Sequence, residues 1–295
     1  MPHYEATTVP VPGGLLHVGM WGRRGPVIVA SHGLTATHVG FAALAEQLGD
    51  DFRLITPDHR GRGKSRDITG PWGLAAHVED LVAILDHLGL AQADVLVGHS
   101  MGGFVAAIAA ATYPDRFSSV LMIDGGLPIV DVLPNGVTTE QLMHAVVGPA
   151  IQRLDMHFAS LQDYRDFWRS HPAFADDWSV YVERYVDYDL IGAPPTLSSG
   201  VNKDAVLSDA ESQLTTDIVP KALEMLQQPV WFLRASRGML NGDPLYTEAV
   251  VAEFGNRLPI FQYSTVADVN HYTIVISKRG ACALVDRIRY LIEKP

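Results

Sequence analysis

The chain has 295 residues, 47% hydrophobic and 19% charged, enough to bury a sizeable core in one domain that carries at most an insertion. Its net charge of −11 argues against a nucleic-acid partner, because neutralising phosphates takes clustered lysine and arginine. No basic-then-apolar leader and no membrane-length apolar run is visible, and the single cysteine, Cys282, excludes an internal disulfide and fits a reducing cytoplasm.

In chain order, "TTVPVPGGLLHVGMWG" alternates about a Pro-Gly-Gly turn and predicts an opening hairpin. Short β-branched runs follow: "PVIVASHG", "FRLITPDHRG", "ADVLVGHS" and "SSVLMIDGG". Helical patterns separate them. In "AAHVEDLVAILDHLGL" the residues Val78, Leu81, Val82, Leu85 and Leu88 share one face, closed by Gly89. Such alternation implies an α/β fold with a mostly parallel sheet covered by helices on both faces. It stops near Leu127 and resumes with "QPVWFLRAS" near residue 229, so 1–127 and 229–295 read as the core and 128–228 as a helical insertion. Residues 156–190 hold nine of the chain's 25 aromatics at helical spacing. Most are expected to form the insertion's own core, with a few, Trp168 and Trp178 among them, facing an apolar pocket under a lid. "LPIFQYSTV" then predicts a last strand and "GACALVDRIRYLIEK" a closing helix, in which Cys282 is expected to be a packed thiol.

The chemistry concentrates at "VLVGHSMGGF". An apolar strand ends at Val97 and a small-residue helix begins near Met101, so Ser100 lies on the tight turn of a G-x-S-x-G pattern. Side chains at Gly98, Gly102 or Gly103 would collide with the adjoining strand and helix. A serine hydroxyl needs a neighbouring base to attack a carbonyl. Of the twelve histidines, His271 is the best candidate, because it follows the last strand in a loop that opens the terminal helix. None has a metal-ligand spacing, and no metal or cofactor is expected.

With these motifs in family order, the chain resembles the α/β-hydrolase superfamily over nearly its whole length: "SHGLTATHVGF" is similar to its His-Gly loop, "DHRGRGKS" to its D-x-R-G-x-G-x-S turn, "GHSMGG" to its nucleophile elbow and "DVNHYTIV" to its histidine loop. The resemblance implies a capped serine hydrolase with 128–228 as the cap. It implies oxyanion donors at the backbone amides of Met101 and Leu34, and a Ser-before-His chain order that fits Ser100 and His271. It also raises a difficulty with the triad acid. In most relatives that acid follows the strand "VWFLRASRGM", where this chain has Arg237 or Gly238, and the nearest carboxylate, Asp243, lies several residues late. Some relatives carry the acid one strand earlier, where this chain has Asp124 in "VLMIDGGLP". Asp124 is preferred and Asp243 is the alternative.

Among the remaining residues, His32 is expected to hold its loop, His99 to pack beside the nucleophile, and both to border the pocket. Asp268 is expected to shape the histidine loop. "GKS" at 63–65 is not a phosphate loop, since Asp58 stands where a glycine is required; Arg60, Arg62 and Lys64 are expected to shape or solvate a turn. The expectation is an enzyme that cleaves a small-to-moderate apolar ester or lactone through an acyl-enzyme, with a homo-oligomer left open. The alternatives are a carbon–carbon hydrolase of ring-cleavage products, a cofactor-free perhydrolase or haloperoxidase, and a non-catalytic binding protein on the same scaffold.

Overall fold

The structure, a computed structural model, describes residues 2–128, 138, 140–141, 147–215 and 217–293. The hairpin β1 (Tyr4–Val11) and β2 (Gly14–Trp21) forms as its Pro-Gly-Gly turn predicts. It is followed by β3 (Val27–Ser31), α1 (Ala42–Leu48), β4 (Arg53–Pro57), α2 (Leu74–His87), β5 (Val95–His99), α3 (Met101–Thr112) and β6 (Val120–Ile123). The segment between β6 and β9 contains α4 (Pro149–Gln152), α5 (Leu161–Arg169), α6 (Val180–Asp189), a two-stranded ribbon β7 (Leu190–Ile191) and β8 (Ser198–Ser199), α7 (Lys203–Thr215) and α8 (Ile218–Met225). The chain then returns through β9 (Val230–Arg237), α9 (Glu248–Arg257), β10 (Phe261–Asn270), α10 (Thr273–Ile276) and α11 (Lys278–Glu293).

Eight strands form one sheet in the order β1-β2-β4-β3-β5-β6-β9-β10. Pairing is antiparallel as far as β4 and parallel from β4 to β10. The parallel strands β3, β5 and β6 are buried at every residue, which explains why they read as unbroken apolar runs rather than alternating ones. From β3 the chain leaves through α1 towards β4 on one side, whereas β5 leads through α3 to β6 on the other. The loops after β3 and β5 therefore diverge and leave a crevice at the carboxyl end of the sheet, where this architecture gathers ligands.

Helices α2, α3 and α8 pack one core on one face of the sheet, and α1, α10 and α11 pack another core on the opposite face. On α2 the buried stripe runs through Leu74, Val78, Leu81, Ile84 and Leu85, and Gly89, at φ +66°, ends the helix. The rings of the β6–β9 segment do not form a separate core: Phe158, Tyr164, Trp168, Phe174 and Tyr185 are continuous with the α1–α11 side. Helix α8, inside the 128–228 stretch, packs against α3 beneath the sheet. Cys282 is exposed, contrary to expectation, because the buried stripe of α11 passes through Ala281, Leu284, Val285, Ile288 and Leu291 and leaves position 282 off that face. No helix among the described residues is long and apolar enough to cross a membrane.

Candidate active site

Strand β5 ends at His99, and the turn into α3 holds Ser100 at φ 55° and ψ −121°, a region L-residues other than glycine rarely occupy. Among the described residues the other non-glycine positive φ values are at Asp124 and Asn241, on loops, and at Asp268, where the pairing register of β10 shifts. Backbone strain of about 1–3 kcal/mol per residue persists only where surrounding contacts over-determine the conformation. Here they do. The Ser100 amide donates to the Ile123 carbonyl at 3.0 Å, and the Asp124 amide donates to the Leu233 carbonyl at 2.8 Å, so both turns continue the ladders of neighbouring strands. Two glycines permit the close packing: a Cβ on Gly102 would lie 2.0 Å from the Ser31 carbonyl oxygen, and one on Gly125 would lie 2.1 Å from that of Ser100.

His271 follows β10 and is 2% exposed. Its Nδ1–H donates to Asp124 Oδ2 at 2.7 Å, which leaves the Nε2 lone pair facing the Ser100 hydroxyl at 3.0 Å. The second Asp124 oxygen accepts the Ala235 amide at 3.0 Å, so the carboxylate is bonded to the strand after which most relatives place theirs. Both His271 ring nitrogens are thus engaged by Asp124 and Ser100, and Asp243 lies exposed on its loop. The Asp124 alternative is the one brought together with His271; the Asp243 alternative is not. Arg237, at the usual acid position, instead donates to Asn241 Oδ1 at 2.6 Å, to the Asp268 carbonyl at 3.2 Å and to Asp177 at 3.3 Å. Asp268, expected to shape a loop, lies instead within β10 at its register shift, where it is exposed and accepts from Arg279.

The histidine loop is pinned by Asn270. Its side chain accepts the Tyr272 and Thr273 amides at 3.0 and 2.9 Å and donates to the Ala173 carbonyl at 2.8 Å. His99 donates from Nε2 to the His271 carbonyl at 2.8 Å. Burial, reinforced by the neighbouring His271 ring, holds the His99 pKa well below the ordinary value, which keeps the ring neutral. His32 donates from Nδ1 to the Gly33 carbonyl at 2.8 Å and accepts the His59 amide on Nε2 at 2.9 Å. Burial pushes its pKa down to about 3.

Ser100, His271 and Asp124 border a cavity of about 70 Å³. Leu34 lines it, and Met101 opens α3, where the helix offers no acceptor for its amide. His32 and His99 also line it, but Trp168 and Trp178 do not. Trp168 is buried among Tyr164, His171, Phe174 and Tyr185, and Trp178 lies under the Arg169 guanidinium at 4.5 Å. The rings that do wall the cavity include Tyr185, Tyr246, Tyr272 and Phe104. Of these, Tyr272 carried the plainest sequence signal, as the neighbour of His271.

Arg60 and Arg62 depart furthest from expectation. They are not solvated but wholly buried: Arg60 forks onto Asp80 at 2.7 and 2.6 Å, and Arg62 meets Asp209 at 2.5 Å. The missed signal was Asp80 on the apolar stripe of α2, since a carboxylate placed there requires a cationic partner. Among the described residues one group, His17, His38 and Asp58, is close enough to hold a metal ion. The Asp58 oxygens already accept four hydrogen bonds, from the His38 amide and ring, the Lys64 amide and the Tyr188 hydroxyl. With its acceptor positions filled, this carboxylate acts as a structural acceptor rather than an open ligand.

The sequence matches the α/β hydrolase fold family over residues 26–193. It is 30% identical to the lipase LipV of Mycobacterium tuberculosis over 230 residues, 68% of this chain and 87% of the lipase. A relative named as the carbamate hydrolase RutD, from Caulobacter sp. (strain K31), is 36% identical over 99 residues, 33% of this chain and only 37% of that protein. Among solved structures, E-2-(acetamidomethylene)succinate hydrolase superposes with a TM-score of 0.78 at 22% identity, covering 97% of this chain and 100% of that one. The family match spans more than half of the sequence, and the sheet order and elbow agree with it: the chain belongs to the α/β-hydrolase family and is a hydrolase of that fold.

Proposed function

We propose that the protein is a serine hydrolase that cleaves a small, uncharged carboxylic ester or lactone through an acyl-enzyme. The observation that carries this reading is the hydrogen-bonded chain from Asp124 through His271 to Ser100 at the floor of an apolar cavity. His271 Nε2 takes the proton as Ser100 Oγ attacks the carbonyl carbon, and the amides of Leu34 and Met101 hold the oxyanion. The same imidazole then protonates the leaving alcohol, and water, activated by His271, releases the acid and restores Ser100.

The uncharged substrate follows from the lining. No lysine or arginine borders the cavity among the described residues, and residues 129–146 contain neither. A carboxylate-bearing substrate would be desolvated there without a counter-charge, next to the buried Asp124. The lipase relative supports ester chemistry. A carbon–carbon hydrolase is the second reading, supported by the helical cap, but its usual acid placement is the one that Asp124 replaces. A cofactor-free perhydrolase or a binding protein on the hydrolase scaffold ranks below both, the latter because Ser, His and Asp are all in place.

The test is labelling by a fluorophosphonate together with turnover of p-nitrophenyl esters, lactones and ring-cleavage diketones. Ser100→Ala is expected to abolish both labelling and turnover with little change in melting temperature. A folded wild type that resists labelling would overturn the mechanism, and turnover of diketones alone would favour the second reading.

A further inference from the structure

The loop after β3 carries Leu34, and three successive carbonyls along it are each held by a different buried side chain. The Gly33 carbonyl accepts His32 Nδ1–H at 2.8 Å, the Leu34 carbonyl accepts Arg62 Nε–H at 3.0 Å, and the Thr35 carbonyl accepts Arg153 Nη2–H at 3.0 Å. Gly33 O and Leu34 N–H belong to one trans peptide and so point in opposite directions. Anchoring the carbonyl on His32 therefore directs the Leu34 N–H away from that ring. Gly33 itself lies against the nucleophile, since a Cβ built on it would be 3.1 Å from Ser100 Cβ.

The two guanidiniums share a second property. Each is neutralised by a carboxylate from the segment between β6 and β9: Arg62 by Asp209 of α7 at 2.5 Å, and Arg153 by Asp189 at the end of α6 at 3.2 Å. Asp209 also accepts the Gly73 amide at 2.6 Å and His77 Nε2–H at 2.9 Å, so α7 is fastened to the start of α2. One turn further along α7, Gln213 lines the cavity. A buried ion pair is weak evidence for stability, because apolar side chains of similar volume serve packing as well. Among the described residues the Arg62 Nη2 group, moreover, has no hydrogen-bond partner, so the guanidinium is placed for the bonds its other nitrogens make.

Resting on the serine-hydrolase reading, we propose that Arg62, oriented by Asp209, is a positioning residue: it fixes the Leu34–Thr35 peptide while His32 fixes the Gly33–Leu34 peptide that carries the N–H, so residue 34 is clamped on both sides with its amide set for the oxyanion, and Arg62 ties this clamp to the seating of α7. The substrate-facing wall and the oxyanion donor then form one mechanical unit, although Asp209 and Leu34 are 175 residues apart in sequence.

The experiment is the second-order rate of Ser100 phosphonylation by a fluorophosphonate, whose phosphoryl oxygen takes the position of the oxyanion, read per folded molecule beside the melting temperature. Arg62→Lys keeps the charge but loses the planar fork. It is expected to label about ten- to a hundred-fold more slowly, the scale of a small misplacement at a reacting centre. The double variant Arg62→Met with Asp209→Asn removes both charges together, so no lone charge is left buried. It is expected to fold and to label as slowly. A purely structural role would lower the melting temperature and leave the rate per folded molecule at the wild-type value. That result in either variant overturns the proposal. If the folded wild type itself is not labelled, the serine-hydrolase reading falls and the positioning role falls with it.

Discussion

The floor of the cavity and its wall are built on opposite principles. The floor, from the ends of β3, β5, β6 and β10, is specified by backbone: Ser100 and Asp124 have positive φ, their amides continue strand ladders, and glycines let main chains touch. The wall that α6 and α7 contribute through Tyr185 and Gln213, backed by the rings of α5, is specified by side chains. Rings meet there edge to face, and Arg153 is enclosed by Tyr164, Asp189 and the Trp168 face. A backbone-defined floor fixes which atoms react, whereas a wall defined by side chains can change its substrate with few substitutions.

The floor should break first and hardest. Asp124→Asn is expected to lower turnover by about four powers of ten, by leaving His271 in the wrong tautomer. Asp243→Asn, on the exposed loop, is expected to leave turnover unchanged, and parallel kcat measurements on the two variants decide between the carboxylates. Behind the wall, Trp168→Ala empties a site buried among five rings and is expected to cost about 3–5 kcal/mol of stability, measured by denaturant titration. Acid acts on both regions more gradually. His32 in the floor and His171 in the wall have pKa values lowered by burial to about 3 and about 4, against about 6.5 when unfolded. Between those limits the unfolded chain binds more protons. The contribution is therefore fully present above pH 6.5 and is lost as pH falls, towards 4 for His171 and towards 3 for His32, by up to about 1.4 kcal/mol per unit for each histidine. Melting temperature against pH, at fixed salt, measures this decline.

What could be read from the sequence follows the same division. The elbow, the hairpin and the histidine loop were legible because strand, turn and helix signals around Ser100 and His271 are local. That Asp124 meets His271 was legible for a related reason: it ends an apolar run and is followed by two glycines, the signature of a turn at a strand end. Which rings face the cavity was not legible, since Trp168 and Tyr185 share the same composition and spacing, and only the packing of α5 against α6 decides which of them turns inward. The buried arginines were hidden for a different reason. Asp80 is 20 residues from Arg60, and Asp209 is 147 from Arg62, so neither pair leaves a short-range pattern.

The placement of the acid has a consequence for how this protein can diversify. On the proposed assignment, Asp124 at the end of β6 is the acid and only borrows a hydrogen bond from Ala235 on β9, so the loop after β9 would carry no reacting group. That loop instead lines part of the cavity through Met239, Leu245 and Tyr246, and Arg237 at its start pairs with Asp177 of the segment between β6 and β9. A lineage with this arrangement can lengthen, shorten or exchange the β9 loop to reshape substrate access while leaving its proton relay intact.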